Sequence, residues 1–255
     1  MSVTGDGVTA LEEATRICTA AADERITVRL AGGLAIQYLT PEFPPRGGDR
    51  QDLDLATQSS DRKQLTRFLT ERGYVADKTF NALYGHKQMY FQSAETGRSL
   101  DVLVDRLHMC HTVEFKDRLG RMPVTLDLSD LLLTKLQIVE LNEKDAQDVL
   151  YLCSAYPVRD GDEPGTIGLA RIRPIVGNDW GWWRTITLNL ERIIALAAGD
   201  GQGLVPAGGK YDPVDQLREL NEAAETTPKS LRWKARARVG ERVRWYEMPE
   251  ETPHH

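Results

Sequence analysis

The segment Asp52-Leu53-Asp54-Leu55-Ala56 constrains this chain more than any other. Its acidic and apolar residues alternate with a period of two. In an extended backbone that sends Leu53 and Leu55 to one side, Asp52 and Asp54 to the other. Such a strand needs a sheet with one face in a core and one face open to water. Adjacent carboxylates also disfavour each other's ionisation unless a cation lies between them. The pair is therefore a candidate clamp for a hard divalent ion such as Mg2+. The alternative is that both acids form the solvent side of an edge strand.

The surrounding chain supports a sheet interleaved with helices. Helical spacing is expected over Val8 to Ala22, Leu34 to Leu39 and Arg62 to Arg72, the last closed by Gly73. Strands are expected at Ile26 to Leu30, Tyr74 to Ala76, Lys87 to Gln92 and Ser99 to Val104. Ser129 is a plausible N-cap for a helix over Asp130 to Leu141, and a further helix spans Glu143 to Ala155. The expected class is α/β (α+β), a mixed sheet followed by a mainly helical C-terminal part.

Near Tyr156-Pro157 the chain changes character, which predicts a catalytic core with attached helices over 1–155 and a second region over 156–255. All five tryptophans (Trp180, Trp182, Trp183, Trp233 and Trp245) lie in that second region. They suit stacking on a base or sugar, or anchoring the helical region against the sheet. Residues 225–246 carry seven bases and two acids. The run Arg232-Trp233-Lys234-Ala235-Arg236-Ala237-Arg238 reads as an extended segment with one charged face, either solvated or facing a polyanion.

Composition limits the classes of function. The whole chain has 38 acids against 32 bases, a net charge of −6, which disfavours a non-specific nucleic-acid coat. Three cysteines in 255 residues make no disulfide scaffold. No apolar run reaches the ~18 residues of a membrane span, and the first residues lack a signal-peptide pattern. A reduced, cytoplasmic protein without membrane contact is expected. His108-Met109-Cys110-His111 lacks the spacing of a structural zinc site. Cys18 and Cys153 sit in apolar helical runs and are expected in the core.

Two further features fall in line with the acidic strand. Gly32-Gly33 lies between an expected strand and an expected helix, where glycine lets a backbone approach a ligand and a helix N-terminus offers N–H groups to phosphate. It is neither a Walker loop nor a G-x-G-x-x-G turn, and a simple tight turn fits it as well. Asp101 opens the later strand Asp101-Val102-Leu103-Val104 and completes the acidic cluster if the strands are neighbours.

Gly32-Gly33, then Asp52-Leu53-Asp54, then Ser99-Leu100-Asp101-Val102 together resemble the nucleotidyltransferase superfamily of the DNA polymerase β type. Leu132-Leu133-Thr134-Lys135-Leu136, followed by Lys144-Asp145-Ala146-Gln147-Asp148, resembles its AbiEii/AbiGii-type branch, which includes toxins of bacterial toxin–antitoxin pairs. The resemblance covers roughly residues 25–155 and implies a role for each matching residue. Gly32 and Gly33 would hold a nucleoside triphosphate. Asp52, Asp54 and Asp101 would bind Mg2+, with Mn2+ as an alternative, and Asp101 would serve as a candidate base. Lys135 would contact phosphate or nucleotide, and Asp145 and Asp148 would line the cleft. Where the branch carries a hydroxyl residue before its first acid, this chain has Arg50, with Arg46 nearby to supply an arginine.

The implied activity is metal-dependent transfer of a nucleoside monophosphate from an NTP to an acceptor hydroxyl on tRNA, a protein or a small molecule. An antitoxin protein is an implied partner. The alternatives are a catalytically silent nucleotide-binding or antitoxin-partner protein, and a metal-dependent phosphohydrolase. His86 and Lys87, just before a strand, are candidate nucleotide contacts or an ordinary surface hairpin. Lys135 alone would read as a lysine snorkelling from a helix edge, and Asp145 and Asp148 as acids favoured at a helix start.

Overall fold

The computed structural model describes residues 8–45, 52–199 and 203–248. Contacts divide the chain into two units. The first comprises Met1–Tyr38, Pro45–Arg106 and Glu114–Leu126, and the second Leu39–Pro44, Leu107–Val113 and Asp127–His255. The division expected after residue 155 thus falls inside the second unit.

The first unit begins with α1 (Ala10–Asp23), fixed at its start by a capping box: Thr9 Oγ1 accepts from the Glu12 N–H, and the Glu12 carboxylate accepts from the Thr9 N–H. There follow β1 (Val28–Leu30), α2 (Gly32–Leu39), β2 (Leu53–Thr57), α3 (Arg62–Glu71), β3 (Tyr74–Ala76), α4 (Lys78–Tyr84), β4 (Gln88–Ser93) and β5 (Ser99–Val104). The strands form one sheet in the order β1-β2-β5-β4-β3. The β2–β5 pair is parallel and the other pairs are antiparallel. The expected mixed sheet is present. Strand β2 has a neighbour on each side, so Asp54 does not belong to an edge strand.

Alternation along the strands separates the two faces. Leu53, Leu55, Leu100, Val102 and Phe91 are fully buried on one face. Helices α1 and α3 cover that face. Tyr74 Oη donates to Glu13 Oε1 of α1 at 2.5 Å, and Thr66 Oγ1 of α3 lies 3.9 Å from Met89 Sδ. Glu13 is itself buried and ion-paired with Arg98 at 2.5 Å, which keeps its charge compensated inside the core. The opposite face carries Asp54, Ser99, Asp101, Gln88 and Tyr90, all half-buried.

Beyond the short β3, the Asn81 side chain takes the place of a strand residue: its Oδ1 accepts from the Tyr90 N–H at 2.7 Å and its Nδ2 donates to the Tyr90 carbonyl at 3.0 Å. At β1, Leu30 N–H donates to the Val124 carbonyl and the Leu30 carbonyl accepts from Leu126 N–H. A hairpin of β6 (Arg106–His108) and β7 (Thr112–Glu114) follows the sheet.

The second unit is mainly helical. Helix α5 spans Leu128–Leu136 and α6 spans Glu143–Ala155. Asp127, not Ser129, caps α5, and the helix stops at Leu136 instead of reaching Leu141. Ser129 Oγ accepts the Gly168 N–H instead. After Pro157 a two-residue parallel ladder, β8 (Val158–Arg159) with β9 (Ile167–Gly168), closes around a loop of residues 160–166. Then come α7 (Leu169–Asn178), α8 (Trp180–Ala198), α9 (Pro213–Thr226) and α10 (Leu231–Ala237). Asp179 caps α8, so Trp180, Trp182 and Trp183 begin the helix. The basic run expected to be extended is helix α10, capped by Ser230.

The tryptophan rings meet one another within this unit. Ring centroids of Trp180 and Trp245 are 5.9 Å apart, and those of Trp183 and Trp233 are 5.1 Å apart. Among the described residues, no helix is long and apolar enough to cross a membrane.

Candidate active site

In the first unit, the turn after β1 and the open face of the sheet bring three sequence-predicted residues together. Asp54 and Asp101 are direct partners in the parallel β2–β5 ladder, so both carboxylates leave the same face from adjacent strands. Asp52 stands just before β2, exposed, two residues upstream of Asp54.

Gly32 opens α2 with φ at +58°, a conformation that side chains with a Cβ adopt only under strain. A Cβ added at Gly32 would lie 2.1 Å from Asp54 Oδ2. The turn is tied to β2 by the Ala31 N–H, which donates to the Asp54 carbonyl at 2.9 Å. Glycine is needed here twice, for its backbone angle and for the space given to the Asp54 carboxylate. Gly33 follows in the first turn of α2.

Gln88 was not singled out from the sequence. Its Nε2 donates to Asp101 Oδ1 at 2.5 Å. It lies on the same face of β4 as Tyr90, the cross-strand partner of Asp101. The detectable signal was that period-two spacing from Tyr90; the pairing itself required the sheet order. His86 and Lys87 are exposed in the turn before β4, immediately preceding Gln88. Arg50 and Arg46 lie outside the described residues.

The donor chemistry of Asp54 and Asp101 fits a hard divalent cation: carboxylate oxygens side by side on one face, with a missing Cβ leaving space beside Asp54. Among the described residues, no group of three or more His, Cys, Asp or Glu side chains is drawn together as a metal site. The fit rests on this pair of acids.

The other predicted residues assemble in the second unit. Lys135 of α5 reaches both Asp145 and Asp148 of α6, with Nζ–O separations of 2.9 Å to each. The two acids are three residues apart on α6 and so share a face. All three side chains are buried. Burial opposes the Lys135 charge, but the carboxylates of Asp148 and Asp145 outweigh it and hold the ammonium above its ordinary pKa. A lysine snorkelling to water is excluded at 9% exposure.

The cysteine and histidine candidates have ordinary partners. Burial pushes the thiols of Cys18 and Cys153 up to about 12, as expected of core cysteines. His108 Nδ1 lies 2.6 Å from Thr112 Oγ1 and its Nε2 2.8 Å from Glu247 Oε2. His111 Nε2 lies 2.8 Å from Thr185 Oγ1. These contacts occupy three of the four ring nitrogens.

No family model and no curated protein matches the chain. Several solved structures match parts or most of the chain at low identity. A lincosamide antibiotic adenylyltransferase, LnuA, solved with lincomycin bound, is 16% identical with a TM-score of 0.43, over 57% of this chain and 98% of its own. The structure of ANT(2")-Ia in complex with adenylyl-2"-tobramycin is 12% identical with a TM-score of 0.38, over 56% of this chain and 87% of its own. An antigenic nucleotidyltransferase-like protein from Paracoccidioides brasiliensis is 13% identical with a TM-score of 0.43, over 87% of this chain and 94% of its own.

Proposed function

We propose that this chain is a metal-dependent nucleotidyltransferase that moves a nucleoside monophosphate from an NTP to an acceptor hydroxyl. The observation that carries the reading is the Asp54–Asp101 ladder pair beside the Gly32 turn. In this reading Asp54 and Asp101 hold the cation, with Asp52 as a further donor from the start of β2. A bound divalent ion supplies charge neutralisation for in-line displacement at phosphorus. Gln88 fixes the orientation of Asp101 through Oδ1. The glycine turn keeps side chains away from the triphosphate, whose oxygens meet the first N–H groups of α2. The acceptor oxygen bonds to the α-phosphorus, the bond to the β-phosphate oxygen breaks, and pyrophosphate leaves; the hydroxyl proton passes to Asp101 as base.

Lys135, Asp145 and Asp148 take a positional role in this reading, since Lys135 is neutralised by its own carboxylate partners. The narrower assignment, a toxin of a toxin–antitoxin pair acting on tRNA, protein or a small molecule, is supported only by the sequence pattern around these three residues.

The test is incubation with each α-labelled NTP and Mg2+, with RNA, protein and small-molecule fractions as acceptors. Label should appear in one fraction, and Asp54→Asn should reduce it by on the order of 10³-fold with the fold intact by circular dichroism. Full activity of a folded Asp54→Asn protein would overturn the reading. Release of phosphate without labelled acceptor would favour hydrolysis instead.

A further inference from the structure

The second unit holds a cavity of about 460 Å³, a size suited to a small-molecule ligand. Three arginines line it, Arg232, Arg236 and Arg244, together with Trp245, Tyr246 and His111. These arginines are not equivalent. Arg236 is part of the wall: its guanidinium donates to the carbonyls of Gly240 and Val243 at 2.7 Å each and lies 4.7 Å over the Trp180 ring. Arg232 and Arg244 are exposed, and among the described residues no carboxylate pairs with either.

The acids at the cavity are already engaged. Asp179 Oδ1 accepts the Trp182 N–H at 3.0 Å, and Glu247 Oε2 lies 2.8 Å from His108 Nε2. His111 is stacked on Trp182 with centroids 4.8 Å apart. Two guanidinium groups therefore line the cavity with no carboxylate partner among the described residues, Arg244 lying 5.8 Å over the Tyr246 ring, beside the half-buried rings of Trp245 and Tyr246. Guanidinium forks match phosphate oxygens, and an aromatic wall matches a planar ring.

We propose that this cavity binds a phosphate group attached to a planar heterocycle, the chemistry of a nucleoside monophosphate. Arg232 and Arg244 hold the phosphate, and Trp245 and Tyr246 stack against the ring. The same chemistry is presented by a free nucleotide and by the terminal nucleotide of an RNA strand. The site uses none of the residues assigned to transfer.

All five tryptophans belong to this unit, so intrinsic fluorescence reports on it directly. The full chain is titrated, with EDTA present, with AMP, GMP, CMP and UMP, with inorganic phosphate, and with a short single-stranded RNA bearing or lacking a 5′-phosphate. A saturable change is expected with at least one monophosphate and a weaker one with inorganic phosphate. Arg232→Gln and Arg244→Gln should each weaken binding about tenfold, and the double variant should abolish it. Both side chains are exposed, and circular dichroism confirms that the variants fold. Asp54→Asn should bind unchanged, which separates this site from the transfer reading. Tighter binding of the phosphorylated RNA than of any monophosphate would identify RNA as the source. The proposal is overturned if no saturable change occurs at millimolar ligand. It is equally overturned if the double arginine variant binds as well as the parent, if inorganic phosphate binds as tightly as the nucleotides, or if Asp54→Asn removes the signal.

Discussion

Two groups of aspartates in this molecule differ in what surrounds them. Asp54 and Asp101 stand half-buried on the open face of a sheet, with space reserved beside Asp54 by a glycine. Asp145 and Asp148 are buried in the helical unit and converge on the ammonium of Lys135. Carboxylates of the first kind lie on a half-exposed face, where Asp101 accepts from Gln88. Those of the second kind are compensated by their own chain. The two pairs differ in the residues around them: one meets across neighbouring strands and the other meets a lysine of the adjoining helix.

The contrast can be broken most directly at Lys135. Lys135→Met leaves two buried carboxylates without their cation and is expected to cost about 3–5 kcal/mol of stability, read as a fall in the urea midpoint. A variant of parental stability with lost activity would instead place Lys135 in the chemistry.

The next effect is set by a buried histidine of the second unit. Burial lowers His111 to about 4 from 6.5, with Asp179 and Glu247 pulling the other way. The unfolded chain takes up this proton near 6.5 and the folded chain only near 4, so stability is complete above that window and is lost as pH falls through it. The loss is on the order of 3 kcal/mol at its limit. Urea midpoints at about pH 7 and about pH 4.5 should differ more for the parent than for His111→Gln. Equal differences would show that His111 titrates normally.

The smallest stability effect belongs to Gly32→Ala. Its positive φ costs about 1–2 kcal/mol with a Cβ present, and the new methyl displaces the Asp54 carboxylate. Activity should therefore fall far more than stability does. A proportionate fall in both would make the turn a purely structural device.

Much of the sheet was legible because period-two alternation is a local property. Tyr74–Ala76 and Ser99–Val104 match their expected bounds, and β2 differs by one residue. The spacing of Asp52, Asp54 and Asp101 was also visible. What remained hidden depends on distant partners. The i,i+3 relation of Asp145 and Asp148 was readable, but the convergence of both on Lys135 was a matter of how α5 meets α6. Gln88 reaches Asp101 only because β4 lies beside β5. Helix α4 is capped locally by Asp77, which accepts the Phe80 N–H, but its tie to the sheet through Asn81 and the Tyr90 backbone depends on how it meets β4. The α10 segment misled because alternating bases suggested a strand, whereas Ser230 supplies a helix cap and the run is rich in helix-forming Ala, Arg and Lys.

The Asn81 amide has a consequence for the behaviour of the protein in concentrated solution. An uncovered strand margin is a template on which another chain can add by backbone pairing. Strand β3 protects β4 for only three residues, and Asn81 occupies the Tyr90 backbone groups just beyond it. On the far margin, Val124 and Leu126 do the same for Leu30. The Asn81 amide, together with the Asp77 N–H on the same Tyr90 carbonyl, thus stands in for a missing strand and guards that stretch of the sheet against intermolecular pairing.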